Sequence, residues 1–198
     1  DMVFICIPPY AHGEIEFETI RRGIHFFVEK PVVLDLELGK KIRDEVKKAG
    51  LITAVGFQHR YTNLVEPLKS FINKHEIIYI NCIRIGGVPN VFWWRKRNLS
   101  GGQIVEQTIH QFDAIRYYIG EPDTVYTMGS RGFIKDKEGY DTEDLSVTTV
   151  KFKNGILASI STGCYAESSS AADSKITFGT RNARADYYLA NRLKIFGL

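Results

Sequence analysis

The sequence predicts a parallel α/β segment followed by an α+β domain built on a large, mainly antiparallel open sheet. Three observations carry this. Apolar runs at 2–7, 25–29 and 51–57 alternate with two helix-length stretches, the strand–helix–strand order of a parallel sheet. After about His59 that alternation stops, and from Thr124 onward strand-like runs dominate. Lys153-Asn154-Gly155 lies between runs at 145–152 and 156–164. Asn-Gly there predicts a type I′ hairpin turn, which needs positive φ at both central positions. The division falls near residue 60, giving segments 1–60 and 61–198.

Each element has its own signal. The 2–7 run ends at Pro8-Pro9 and reads as a short buried strand. A helix over 12–22 turns Ile15 and Ile20 inward and meets Gly23 at its end. Asp35 is the N-cap of a helix reaching Ala49, with Gly50 as its stop. A helix over 64–73 leads to a strand at 77–86. The aromatic and basic stretch 89–100 is expected as a loop. A helix over 103–119 is halted by Gly120 and Pro122. The charged segment 134–141, with Gly139, is expected to be a mobile loop. Strands at 175–179 and 186–189 continue the sheet. The chain opens at Asp1 directly into a strand and closes, over 192–198, inside the sheet domain. It is therefore expected to be a fragment, with any targeting signal upstream.

Composition sets bounds. The 198 residues, 44% hydrophobic and 25% charged, suit an ordinary soluble protein. A net charge of +3 is too small to imply a nucleic-acid partner. No apolar run approaches the ~18 residues of a membrane span. Cys6, Cys82 and Cys164 are scattered, form no metal spacing, and suit a reducing, cytoplasmic compartment.

The chemistry-bearing residues fall in two segments. Lys30 follows a strand and precedes Pro31, which biases it toward extended geometry. Ligands of open parallel sheets bind beyond the carboxyl ends of the strands. A lysine there can donate to a substrate oxygen; otherwise it is a surface lysine. Glu106, His110 and Asp113 stand at i, i+4 and i+7, on one face of a helix, with Gln103 and Tyr117 extending the stripe. Histidine suits proton transfer at a carbinol oxygen, and a carboxylate one turn away can orient its ring. The plain alternative is a solvated helix face. A metal reading of Glu106 and His110 has no third ligand nearby. Gly101-Gly102 permits a sharp helix start. Trp94 and Arg95 lie in a basic aromatic loop better suited to a polyol or acid site than to nucleic acid. Gly56-Phe57-Gln58-His59-Arg60-Tyr61, at the end of the third strand, is a place where a cofactor edge could rest; otherwise it is a linker between domains.

Glu29-Lys30-Pro31, Trp94-Arg95, Ser100-Gly101-Gly102 and the Glu106/His110/Asp113 helix, in this order, resemble the signatures of the glucose-fructose oxidoreductase / inositol dehydrogenase / MocA family. The resemblance implies a Rossmann domain followed by an α+β sheet domain, NAD or NADP as cofactor, and a sugar, inositol or related polyol as substrate. It implies that Pro8, Pro9, His12, Glu29, Lys30 and Gln58 line the cofactor. Lys30, His110 and Glu106 would be catalytic, with His110 the acid/base. Trp94, Arg95 and Asp113 would shape the substrate pocket. Two positions depart from the pattern: Gln103 stands where a third glycine is common, and Glu106 replaces the usual Asp. No G-x-G-x-x-G occurs in these residues. The pyrophosphate site is therefore expected upstream, and the fragment is expected to be inactive alone. A glycosidase with transient NAD-mediated oxidation, and a non-catalytic oligomerisation or binding module, remain as alternatives.

The hairpin strands carry apolar residues on both faces. Leu145 and Val147 face one way, Val150 and Phe152 the other; Leu157 opposes Ala158, Ile160 and Cys164. A sheet apolar on both faces has to cover both. A homodimer or tetramer through this sheet is expected.

Overall fold

A computed structural model describes residues 1–189 and 191–197. Two sheets organise the chain. The first holds three parallel strands in the order β1 (Met2–Ile5), β2 (His25–Val28), β3 (Thr53–Val55). Helices α1 (Glu14–Arg21) and α2 (Leu36–Ala49) make the crossovers. The ends of α2 follow the sequence signals. Asp35 Oδ1 accepts the Leu38 N–H at 2.7 Å, and Gly50, at φ +65, ends the helix. Ile5, Ile20, Phe26, Val28 and Ile42 form the core beneath. Burying each contributes roughly 1.5–3 kcal/mol. Ile15 does not join them and is exposed. The inward positions of α1 are Glu16, Thr19 and Ile20, an i, i+3, i+4 stripe that leaves Ile15 one residue off the face.

The second sheet has seven strands in the order β10-β9-β8-β4-β7-β6-β5. In chain order these are β4 (Tyr79–Ile85), β5 (Pro122–Ser130), β6 (Leu145–Phe152), β7 (Leu157–Gly163), β8 (Asp173–Gly179), β9 (Arg184–Tyr188) and β10 (Arg192–Phe196). All neighbours are antiparallel except β4 and β7. One face packs on α3 (Val65–Lys74) and α5 (Ile109–Ile119), with Leu68, Phe71, Ile80, Cys82, Ile115 and Ile160 among its buried core. The other face shows Tyr79, Tyr126, Met128, Val147 and Leu157 to solvent. The face split read from the hairpin is the one observed: Val150, Phe152, Ala158 and Ile160 are buried, while Val147 and Leu157 are exposed. No helix among the described residues is long and apolar enough to cross a membrane.

Four local features differ from expectation. The hairpin is closed by three residues, 153–155, with Gly155 N–H bonded to Phe152 O and Phe152 N–H to Ile156 O, both at 2.9 Å. Asn154 is tied to Ile119 O and to the Ile156 N–H, and Gly155 takes φ +88, so the longer connection replaces the two-residue turn. The 89–100 stretch contains a 3₁₀ turn (Phe92–Arg95) and a short helix, α4 (Arg97–Ser100). The long helix is not uniform: a π-helical turn, Ile104–Thr108, precedes α5. The end of the 134–141 segment is anchored, with Asp141 Oδ1 accepting the Arg97 N–H at 2.6 Å and Tyr140 OH donating to Glu143 O at 2.9 Å. Expectations for the extreme end at Leu198 lie outside the described residues.

Candidate active site

The site forms where the two halves meet. Glu29 N–H bonds Ile5 O at 2.9 Å, extending the parallel pairing one residue past β2 and placing Lys30 beyond the carboxyl end of the sheet. The Lys30–Pro31 peptide is cis. Lys30 Nζ reaches across to the π-helical turn and donates to Glu106 O at 2.7 Å and Glu106 Oε1 at 2.8 Å. The second carboxylate oxygen, Oε2, accepts the Trp94 indole N–H at 3.0 Å. Trp94 is 1% exposed. It supports Glu106 from behind, with almost none of its surface open to solvent. Among the described residues Glu106 makes no hydrogen bond to the His110 ring; its two oxygens accept from Lys30 and Trp94. It bears on His110 through Lys30.

The helix start is held from the sheet side. Gln103, expected on the polar stripe, instead points into the sheet. Its Nε2 donates to Thr162 Oγ1 at 3.0 Å and Ser146 Oγ at 3.1 Å, and its Oε1 accepts from Thr108 Oγ1 at 2.9 Å. The turn before it uses Gly101 at φ +80 and Gly102 at φ +90. A Cβ on Gly102 would lie 2.6 Å from Glu143 Oε2, whose partner oxygen accepts the Ile104 N–H at 3.2 Å. Arg97 pairs with the same carboxylate. A sharp glycine turn against a buried acid thus fixes where Glu106 emerges.

One turn on, His110 is half-buried with no partner for Nδ1 among the described residues. Burial, then the charge on Lys30, then His59 and Arg84, push its pKa from 6.5 down to about 4, against an opposing pull from Asp113. The ring is therefore neutral at neutral pH. His59 packs against it edge-on, centroids 4.9 Å apart, and burial lowers the His59 pKa too. Asp113 is held by Arg60 through two bonds of 2.8 and 2.5 Å, and the guanidinium lies over the Tyr117 ring at 4.9 Å. That acid is buried and already paired. Arg95 donates to Asn90 Oδ1 at 3.3 Å, and its buried Nε has no partner among the described residues. Sequence reasoning missed Arg84 as a neighbour of this site, and it gave His59 and Arg60 as part of a stretch where a cofactor edge could rest, without a role at the His110 helix. For His59 and Arg60 the signal was present: basic residues just past the end of β3.

Residues 1–57 match the profile of the oxidoreductase family with an NAD-binding Rossmann fold, and residues 76–197 that of the GFO/IDH/MocA C-terminal domain. The chain belongs to the GFO/IDH/MocA oxidoreductase family. It is 31% identical over 162 residues to scyllo-inositol 2-dehydrogenase (NAD(+)) of Bacillus subtilis (strain 168), covering 78% of this chain and 46% of that protein. It is 30% identical over 165 residues to myo-inositol 2-dehydrogenase of Thermotoga maritima, covering 81% and 48% respectively. The chain thus spans about half the length of the curated relatives it matches. Levoglucosan dehydrogenase in complex with NADH and levoglucosan superposes with a TM-score of 0.86 at 21% identity, over 98% of this chain and 56% of that one, which shows a shared fold.

The strand ends of this GFO/IDH/MocA chain carry the other residues singled out in the sequence. His12 Nδ1 bonds Glu16 Oε1 at 2.6 Å, while its buried Nε2 has no partner among the described residues. Burial pushes the Glu16 carboxyl up, but hydrogen bonds from His12 and the Gly13 N–H outweigh it and leave the pKa below its ordinary value. Glu29 lies against Gly56, where a Cβ would sit 2.7 Å from Oε2. Pro8, Pro9, His12, Glu29, Lys30 and the exposed Gln58 all follow carboxyl ends of parallel strands.

Proposed function

We propose that this chain carries the substrate side and the nicotinamide side of an NAD(P)-dependent oxidoreductase acting on a sugar, inositol or related polyol, divided functionally near residue 60. The observation that carries the reading is the Lys30–Glu106 contact: a strand-end lysine from one half meets the helix of the other half next to a neutral histidine. The relatives named for inositols support the substrate class. Bound nicotinamide would supply the hydride acceptor in the oxidation direction. His110 accepts the hydroxyl proton at Nε2, since Nδ1 is sealed within the protein. Lys30, held by Glu106, positions the hydroxyl and stabilises charge developing on its oxygen. Pro8, Pro9, His12, Glu29 and Gln58 line the cofactor; Arg95 and the Arg60-held Asp113 shape the pocket. In a form of the protein that binds NAD(P), Lys30→Ala and His110→Ala are each expected to lower kcat by about 10²–10⁴ while cofactor affinity persists. Near-normal turnover in both variants would end these roles. Release of reducing sugar without net reduction of the cofactor would move the reading to a glycosidase of the same family.

Three unpaired cysteines suit a cytoplasmic setting. The uncovered sheet face, with Tyr79, Tyr126, Met128, Val147 and Leu157, supports pairing of two copies through this sheet. Light scattering that returns a monomer mass at tens of micromolar protein would rule the pairing out.

A further inference from the structure

Resting on the polyol reading, we infer that Arg84 is a specificity-determining residue that binds an anionic group of the substrate, so that the preferred substrate is an acidic sugar carrying a carboxylate rather than a neutral polyol.

The argument begins with strand alternation. On β4 the inward positions are Ile80, Cys82 and Arg84. Ile80 and Cys82 are fully buried in the core, and Arg84 takes the next inward place, where the core ends. Its neighbour across the β4–β7 ladder is Thr162, which accepts from Gln103 at the start of the site helix. Arg84 therefore lies beneath Gln103, at the start of the helical segment that carries Glu106 and, one turn on, His110. A Cβ on Gly86 would collide with Arg84 Nη1, so this glycine leaves the guanidinium its room.

That guanidinium is half-buried, yet it makes no hydrogen bond, ion pair or ring contact among the described residues. Of the other cations placed at the site, Lys30 is matched by Glu106 and Arg60 by Asp113, while Arg95 donates to the neutral Asn90. The groups that bear on Arg84 are the Cys82 and Cys164 thiols. Burial pushes these up to about 12 and about 11, so neither supplies a negative charge at neutral pH. Arginine stays protonated there. The charge on Arg84 also acts on His110, in the same direction as that on Lys30. A partly desolvated cation without a counter-charge is unfavourable and is relieved by an anion arriving with the ligand. A planar five-donor fork suits a carboxylate, which it can hold bidentately.

The test compares D-glucuronate with D-glucose, the same ring with a carboxylate in place of a hydroxymethyl group. Calorimetry on the intact chain at fixed ionic strength gives the two affinities, and NMR of the His110 ring gives a second readout. Glucuronate is expected to bind about tenfold or more tightly than glucose. It is also expected to raise the His110 pKa by neutralising a nearby positive charge. In Arg84→Met the affinity ratio should fall toward one, and His110 should titrate higher without ligand. Arg84→Lys, which keeps the charge but not the fork, should retain part of the preference. Equal binding of the two sugars, or tighter binding of glucose, overturns the anion site and leaves the polyol reading standing. A preference undiminished in Arg84→Met overturns the role of Arg84. Binding of neither sugar overturns this inference and the polyol reading together.

Discussion

Removing either partner of the Lys30–Glu106 pair tests whether the two halves of the chain are coupled at the site. The pair is 2.8 Å apart, and its side chains are 16% and 11% exposed. At an effective dielectric constant of about 20, charges at that separation attract by ~6 kcal/mol before desolvation is charged against them. Much of that gross attraction offsets the burial of two ions, so the net worth of the pair is small. Breaking it is different, because the remaining charge stays buried and unmatched. Glu106→Gln leaves Lys30, whose charge acts on His110, without its carboxylate partner; Lys30→Met leaves Glu106 with the Trp94 N–H. Each single variant is expected to lose about 2–4 kcal/mol of stability, somewhat under the range for a fully buried pair because these side chains retain some solvent contact. The double variant should lose less than the sum, with a coupling of about 1 kcal/mol or more. Urea unfolding of the four proteins measures this, with unchanged m-values as the check that the folded state is intact. Losses that add to within ~0.5 kcal/mol would show that the contact carries no energetic coupling, and the account of a site assembled across the two halves would fall.

Three further outcomes follow from the same geometry. By NMR, His110 should titrate near 4, below its ordinary 6.5, and should move upward in Lys30→Met; a wild-type midpoint at or above 6.5 would refute the account of its burial and neighbours. Because its folded-state pKa lies below the unfolded value, the unfolded chain takes up the proton first, so this contribution to stability is full above pH 6.5 and is lost as the pH falls toward 4. Gly102→Ala should lower stability by more than about 1 kcal/mol, since φ is +90 and the new Cβ would press on Glu143; an unshifted urea midpoint would contradict it. Finally, these 198 residues should bind NAD(P) weakly, because no glycine-rich phosphate turn occurs in the sequence, and low-micromolar binding by calorimetry would show that strand-end contacts alone suffice.

Much of the fold was legible because its signals are local. Asp35 and Gly50 mark the ends of α2 whatever the tertiary context, since cap and left-handed stop are made by the residues themselves. The alternation along 145–152 and 156–164 assigned each side chain to its correct face. The hairpin turn was misread because Asn-Gly is compatible with more than one loop length. The three-residue form observed also ties Asn154 to Ile119 O, a contact distant in sequence. The inward placement of Ile15 failed by a single residue, which is enough to move a side chain off a narrow helical stripe.

The site was legible as a set of residues and much less as a set of contacts. Spacing at i, i+4 and i+7 selects one face only while the helix keeps 3.6 residues per turn, and Ile104–Thr108 does not. The π-helical turn separates Gln103, which bonds the sheet, from Glu106, which bonds Lys30. The stripe also omits what faces it from other elements. Asp113 takes Arg60 from beyond β3, and Glu106 takes Trp94 from the 3₁₀ turn. A sequence shows that three titratable residues share a helix face; it does not show which of them already have partners. Two do, and both are acids already committed to a lysine or an arginine. His110 is left with its Nδ1 unpartnered, its charge suppressed and its neighbours held in place. A general base needs that condition: neutral at working pH and not already hydrogen-bonded away from the substrate.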